Sequence, residues 1–306
     1  MSTARRVVVT GIGLVTPLGN TTGQTWEAIL AGKSGISPLS DRQLVDYPIR
    51  YAGIVHGERE RLNQILPERE QAKADRFIHL AVLAADEALR DAAMHPLADA
   101  VAERAGVFVG VSVGGVHTIV EGVLECEARG VRRVSPFFIP KLINNEGASA
   151  ISIQWGLKGP VMSVSSACSS GADAIGQAYS AIVSGQTDIM VAGGAESAVM
   201  PLTIGAFGNM RALAQWDGPI SEASRPFDAQ RCGFVLAEGA GILVLEEYEF
   251  ARTRGAQIYA ELVGYGCTAD AYHSTALHPE GEGGQRALRG AMRMAGITPE
   301  QLAYIN

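Results

Sequence analysis

The chain has 306 residues, 47% of them hydrophobic and 19% charged, enough apolar content to bury a sizeable core in one large or two ordinary domains. Its 25 Lys and Arg against 32 Asp and Glu leave a formal charge of −7, which removes the basic footprint of a nucleic-acid binder. No apolar run reaches the ~20 residues a membrane helix needs, and the N-terminus enters a Val-rich segment without an apolar signal core, so a cytoplasmic location is expected.

Residues 6–10 form a β-rich run closed by Gly11 and Gly13, and 26–31 read as a helix stopped by Gly32. Residues 34–72 are irregular and polar, broken by Pro38, Pro48 and Pro67. From 73 to 94, Ala, Leu and Val recur at helical spacing, with Pro96 just beyond. Residues 106–110 read as a buried strand and 131–145 as a second irregular stretch. A strand over 161–165 leads into a helix of small residues ending near Ser184, and a strand over 188–192 is ended by Gly193 and Gly194. Residues 233–245 read as two strands around 238–241, followed by a charged helix over 246–254. After Gly255 the pattern restarts: a strand at 258–263, a helix at 283–295 and a strand opening at 303–306.

This order predicts an α/β sheet buried on both faces. Residues 1–254 read as one α/β domain and 255–306 as the incomplete opening of another. Stopping on the first residues of a buried strand leaves a sheet edge unpaired, so the end reads as a cut. Glycine is in excess, 36 residues or about 12% against an average of about 7%, without any collagen-like period. Tight turns and close backbone packing are the expected use. The four cysteines, Cys126, Cys168, Cys232 and Cys267, are too far apart for a zinc knuckle or a Cys-x-x-Cys pair, so reduced thiols and no metal or cofactor are expected.

Three motifs carry candidate chemistry. The turn at 9–13 (VTGIG) has the first two glycines of a dinucleotide-binding fingerprint, but Thr16 stands where the third belongs and Pro17 follows; it reads as a plain strand-turn. The segment 110–114 (GVSVG) matches the nucleophile elbow of serine hydrolases, with Ser112 as nucleophile and His273 or His278 as nominal partners. Gly115 prolongs that glycine run, and a flexible loop at a cavity edge is the simpler reading. The third is 165–173 (SSACSSGAD), with Cys168 between a buried strand and a helix start. At such a place first-turn N–H groups and the helix dipole favour a thiolate, and the same amides form an oxyanion hole for a thioester carbonyl. An inert buried cysteine is the competing reading.

The tie is broken by resemblance. Residues 7–19 (VVVTGIGLVTPLG), 165–171 (SSACSSG), 224–228 (SRPFD) with 233–235 (GFV) and 238–241 (EGAG), 246–249 (EEYE), 258–264 (IYAELVG) and 270–273 (DAYH) resemble, in order, the β-ketoacyl-[acyl-carrier-protein] synthases of the synthase II branch. The similarity spans essentially the whole chain. It implies a thiolase-like fold, two α/β halves in an α-β-α-β-α layered sandwich, usually homodimeric. It also implies an acyltransferase of fatty-acid synthesis. Acyl groups pass from acyl carrier protein to Cys168, malonyl-carrier protein loses CO₂, and the carbanion attacks the thioester in a Claisen condensation.

The resemblance further places Val113, Phe138 and Phe207 at the acyl pocket or its mouth, and His273 and Thr275 in a supporting segment near the active site. Arg69, Lys73, Arg132, Arg133 and Arg211 match basic positions where the acidic carrier protein docks. Ordinary core positions or isolated surface arginines are the plainer readings of these residues. Ala172 and Asp173 depart from the synthase II pattern, Ser169 and Ser170 are closer to polyketide synthases, and Cys232 stands where Asp or Asn is common. None of His56, His79, His95, His117, His273 and His278 matches the family's two catalytic histidines, so acylation of Cys168 without condensation is expected. A polyketide-type ketosynthase and a non-catalytic partner subunit are the alternatives, the latter opposed by the presence of Cys168; a serine hydrolase on Ser112 is the last.

Overall fold

The computed structural model describes residues 5–94 and 96–306; the four N-terminal residues and His95 lie outside them. Its centre is a six-stranded sheet. In chain order the elements are β1 (Val7–Val15), α1 (Thr22–Leu30), β2 (Ile36–Pro38), β3 (Tyr51–Gly53), α2 (Arg59–Ile65), α3 (Glu68–Gln71), α4 (Arg76–Asp91) and α5 (Asp99–Ala102). Next come β4 (Ala105–Gly110), α6 (Val116–Arg129), α7 (Phe138–Leu142), α8 (Glu146–Trp155), β5 (Val161–Val164), α9 (Ser170–Val183), β6 (Ile189–Glu196) and α10 (Pro201–Asn209). The chain closes with β7 (Gly239–Glu247), α11 (Tyr248–Thr253), β8 (Ala260–Leu262) and α12 (Glu282–Ala295).

The strand order is β5-β4-β6-β7-β1-β8, and β2 pairs separately with β3. The β5, β4 and β6 strands run parallel, whereas β7, β1 and β8 are joined antiparallel. Alternation along the strands divides their side chains between two helical layers. Val107, Val109, Ile189, Val191, Ile242 and Val244 face α4 and α8, which supply Phe77, Leu80, Leu83, Leu89 and Ile151. Phe108, Met190, Ala192 and Leu245 face α9, which supplies Ala174, Ala178, Ala181 and Ile182. The result is an α-β-α portion of the layered sandwich expected from the sequence.

Close backbone approaches explain much of the glycine. Gly11 and Gly13 lie under the carbonyls of Ala88 and Ala84 on α4, where a Cβ would collide. On the opposite face, Gly110 lies under the Ser170 carbonyl, and a Cβ on Gly194 would meet the Gly171 Cα at 3.0 Å. The N-terminus of α9 is thereby pressed onto the ends of β4 and β6.

The structure corrects several sequence expectations. Gly193 and Gly194 do not end β6; they sit inside it, Gly193 because a Cβ would collide with the Gly241 carbonyl of β7 and Gly194 because α9 comes close at Gly171. Residues 233–238 hold only isolated bridges to Leu213 and Gly53, so β7 is one strand and not two. The irregular stretch 34–72 contains β2, β3, α2 and α3, and 131–145 contains α7. Residues 303–306 form no strand and are exposed, since no described strand lies beside them.

Candidate active site

Cys168 is exposed and occupies a single 3-10 turn, 167–169, between β5 and α9. Ala167 before it has φ +54°, a left-handed conformation that costs a residue with a Cβ about 1–2 kcal/mol. Side-chain bonds hold the turn. The Ser166 N–H donates to Ser170 Oγ at 2.9 Å, and the Ser170 hydroxyl donates to the Ala167 carbonyl at 2.6 Å. Among the described residues no hydrogen bond engages the Cys168 amide, so its donor is not spent on the fold. A thiol, an uncommitted N–H and a helix N-terminus therefore coincide at the surface, as attack on a thioester carbonyl requires.

Asp173, one turn into α9, is only 8% exposed. Its Oδ2 accepts from the hydroxyls of Ser166 and, at 3.0 Å, Ser169; its Oδ1 accepts from the Tyr265 phenol at 2.5 Å. Burial alone would raise this carboxyl, but hydrogen bonds from Ser166, Tyr265 and Ser169 hold it below the usual carboxylate range. Desolvation, then the bond to Asp173, pushes the Tyr265 phenol well up. This network was missed from sequence, where Asp173 stood only as a departure from a pattern; one acid in a helix of small residues was the available signal.

Ser112 is exposed, and its backbone N–H and that of Val113 donate to Glu196 Oε2 at 2.9 and 2.8 Å. Gly114 N–H reaches the same carboxylate at 3.3 Å, so Glu196 occupies the amides that an oxyanion hole would use. Neither His273 nor His278 hydrogen-bonds Ser112, and no triad is assembled. His273 Nδ1 instead accepts the N–H groups of Thr275 and Ala276, both at 3.1 Å, in an exposed turn. No hydrogen bond joins that turn to Cys168.

The remaining expected residues fall in three places. Val113 lies exposed on the loop after β4, tied to the end of β6 by Glu196. Phe138 packs against Gly122 of α6 and lines a cavity of about 310 Å³ with Arg133. Phe207 meets Phe234 edge-to-face, centroids 5.4 Å apart, beside Leu44, Ile49 and Leu213. The Lys73 ammonium lies 5.6 Å from the centre of the Phe137 ring, linking the start of α4 to the segment that carries the exposed Arg132 and Arg133. Arg69 is exposed on α3, four residues before Lys73. Arg211, at φ +58°, belongs elsewhere, on a cavity of about 600 Å³ shared with Arg225, Arg231 and Cys232. A larger cavity of about 820 Å³ between α1 and α4 contains none of these residues. Its Glu87 is committed to the N–H groups of Leu14 and Thr22.

A second buried carboxylate, Glu238, is 5% exposed and accepts from Arg76 Nε and Nη2 at 2.8 and 2.6 Å, Ser197 Oγ at 2.8 Å and Val55 N at 2.9 Å. Burial pushes it up, but the Arg76 guanidinium outweighs that and holds it low. Among the described residues no group of three His, Cys, Asp or Glu side chains is placed to hold a metal, and no helix is long and apolar enough to cross a membrane.

Comparison with known proteins agrees with this geometry. Residues 4–251 match the family model described as Beta-ketoacyl synthase, N-terminal domain, and 259–306 match Beta-ketoacyl synthase, C-terminal domain. The chain is 44% identical over 302 residues to 3-oxoacyl-[acyl-carrier-protein] synthase 2 of Vibrio cholerae, covering 99% of this chain and 72% of that protein. It is 42% identical over 306 residues to the protein of the same name from Staphylococcus aureus, covering 100% and 73%. Among solved structures, a beta-ketoacyl synthase from Burkholderia phymatum superposes with TM-score 0.89 at 34% identity, covering 98% and 72%. A type II polyketide ketosynthase in complex with its acyl-carrier protein superposes with TM-score 0.88 at 32% identity, covering 99% and 73%. The chain belongs to the β-ketoacyl synthase family of acyltransferases, with the thiolase-like fold of that family.

Proposed function

We propose that this chain is a 3-oxoacyl-[acyl-carrier-protein] synthase of fatty-acid elongation and that Cys168 accepts the acyl group. The observation that carries the reading is the Cys168 turn, an exposed thiol beside an uncommitted amide at the start of α9. The thiolate attacks the carbonyl of an acyl-carrier thioester, the new S–C bond forms, and the carrier thiolate leaves with the proton the cysteine gave up. Splitting carbon–carbon bond formation this way replaces one hard step by two easier ones.

Carrier docking is assigned to the surface of Arg69, Lys73, Arg132 and Arg133, with Arg211 as a separate contact. Val113, Phe138 and Phe207 are assigned to acyl binding, with His273 and Thr275 in support. Residues 1–254 and 255–306 are assigned to the two halves. Homodimer formation is supported by β5, which among the described residues is an edge strand with no outer neighbour, and by the exposed Met162 on it and Ile153 on α8, the helix packed beside it. A cytoplasmic site follows from the same reading. The polyketide alternative draws on Ser169 and Ser170 and on the polyketide ketosynthase neighbour. Preference for acetoacetyl- and longer β-keto carriers over saturated ones would favour it.

The test is mass-detected acylation by an acyl-carrier protein. Acyl transfer to the parent chain and none to Cys168→Ala is expected; undiminished labelling elsewhere in the variant would overturn the assignment.

A further inference from the structure

Three features lie outside the proposed chemistry: the carboxylates of the 820 Å³ cavity, the arginines around Arg211, and the Asp173 network. The first are all committed, Glu87 to the N–H groups of Leu14 and Thr22, Asp91 to that of Ile12 and to the Tyr259 phenol, and Asp86 to Arg90 and Arg61. The second belong to the Arg211 surface already assigned to carrier docking. The third runs straight to the nucleophile turn.

A Cβ on Gly176 would collide with the ring of Tyr265, so this glycine leaves the space in which the ring lies on α9. From there the phenol reaches Asp173 at 2.5 Å, one turn earlier on the same helix. Asp173 passes the contact on through the hydroxyls of Ser166 and Ser169, the two residues bracketing Ala167 and Cys168. On the far side, Gly264 and Gly266, flanking Tyr265, lie under the carbonyls of Ala291 and Ala287 on α12. A continuous path of tight contacts therefore links α12 to the turn that carries the thiol. The left-handed Ala167 in that turn is the kind of strained residue that persists only when its surroundings over-determine it.

We propose that Asp173 is a positioning residue for the acyl-accepting step: clamped by Tyr265, its carboxylate fixes Ser166 and Ser169 so that Cys168 faces an incoming thioester. The proposal rests on the reading of Cys168 as acyl acceptor. Asp173→Asn keeps the shape but replaces one acceptor oxygen by an NH₂ group, so either the Tyr265 phenol or the serine pair loses its partner.

The experiment compares the 306-residue parent, Asp173→Asn and Tyr265→Phe in single-turnover acylation by hexanoyl-pantetheine, with iodoacetamide alkylation of Cys168 as the undirected control. In Asp173→Asn the maximal acylation rate is expected to fall about tenfold or more with half-saturation little changed, since misplaced reacting groups lose rate before binding. Alkylation, which needs only an exposed thiol, is expected to stay near the parent rate. Should the Asn variant fail to fold, Tyr265→Phe decides, with an expected fall of about threefold. Parent-like acylation in the folded variants overturns the proposal, and so does a fall in alkylation that matches the fall in acylation. A parent that takes no acyl group on Cys168 overturns the underlying reading and the proposal with it.

Discussion

Both faces of the central sheet admit close backbone approach, at Gly11 and Gly13 under α4 and at Gly110 and Gly194 under α9, but the side chains packed beside those contacts differ in size. On one, α4 and α8 press Phe77, Leu80, Leu83 and Ile151 onto Val and Ile of the strands. On the other, α9 offers Ala174, Ala178 and Gly171, and backbone meets backbone at Gly110 and Gly194. Large side chains bury more apolar area, so the first face carries most of the stability. Small residues bury less, and it is the start of the helix carrying them that presents Cys168. One face holds the fold; the other places an atom.

The sharpest way to break this division is Phe77→Ala. Phe77 is fully buried beneath α8, and its truncation should cost about 3–5 kcal/mol. Chemical denaturation reads the loss. Acylation of Cys168 per folded molecule should be nearly unchanged, and a parallel drop in acylation would show that the two faces are not separable.

Gly110→Ala tests the opposite face. Its Cβ has no room against the Ser170 carbonyl, so α9 must shift at the end that carries the nucleophile turn. A displacement of about 1 Å at a reacting group costs roughly 10²-fold in rate, whereas overpacking costs about 1–3 kcal/mol of stability. A variant with intact acylation would place the precision somewhere other than this contact.

How much of this was legible differs between the faces for the same reason. The α4 periodicity, the β4 run and the small-residue helix after Cys168 stand out because burial of side chains leaves a pattern. Close backbone approach leaves only glycine, and glycine reads first as punctuation; hence Gly193 and Gly194 were read as a strand end when they lie inside β6. The α6, α8 and α10 helices were missed, α10 because it contains Gly205 and Gly208 and begins at Pro201. Cys168 was legible as a motif. The partners of Asp173 were not, because Tyr265 lies 92 residues away and only the folded chain brings it back.

Glu238→Gln probes the seam between the faces and the 51–58 segment. Removing this charge leaves Arg76 its 2.7 Å ion pair with Glu58 and its hydrogen bond to the Val55 carbonyl, and a charged hydrogen-bond loss of this kind costs about 2 kcal/mol. The pH dependence has a definite sign. Glu238 and Asp173 are both held below their ordinary range in the folded chain. Their stabilisation is therefore complete above the unfolded-state pKa of about 4 and disappears as pH falls through the lower folded values. Urea midpoints measured from pH 6 down to pH 3 should fall for the parent and fall less steeply for Glu238→Gln. Equal slopes would mean that the carboxylate does not couple to folding.

The smallest expected effect lies on α1, which belongs to neither face and so calibrates the comparison. Thr21 caps this helix: its backbone is extended, at φ −139°, and its hydroxyl accepts the Gln24 N–H at 3.1 Å. Thr21→Ala leaves that N–H to solvent and should cost about 1 kcal/mol. The helix packs through Thr25 and Ala28, with Trp26 and Leu30 exposed, so fraying of its first turn has no path to α9. Acylation should remain at the parent rate while the denaturation midpoint shifts slightly. A change in acylation would mean that stability lost anywhere in the chain reaches Cys168, and the loss seen for Gly110→Ala would then say nothing about placement.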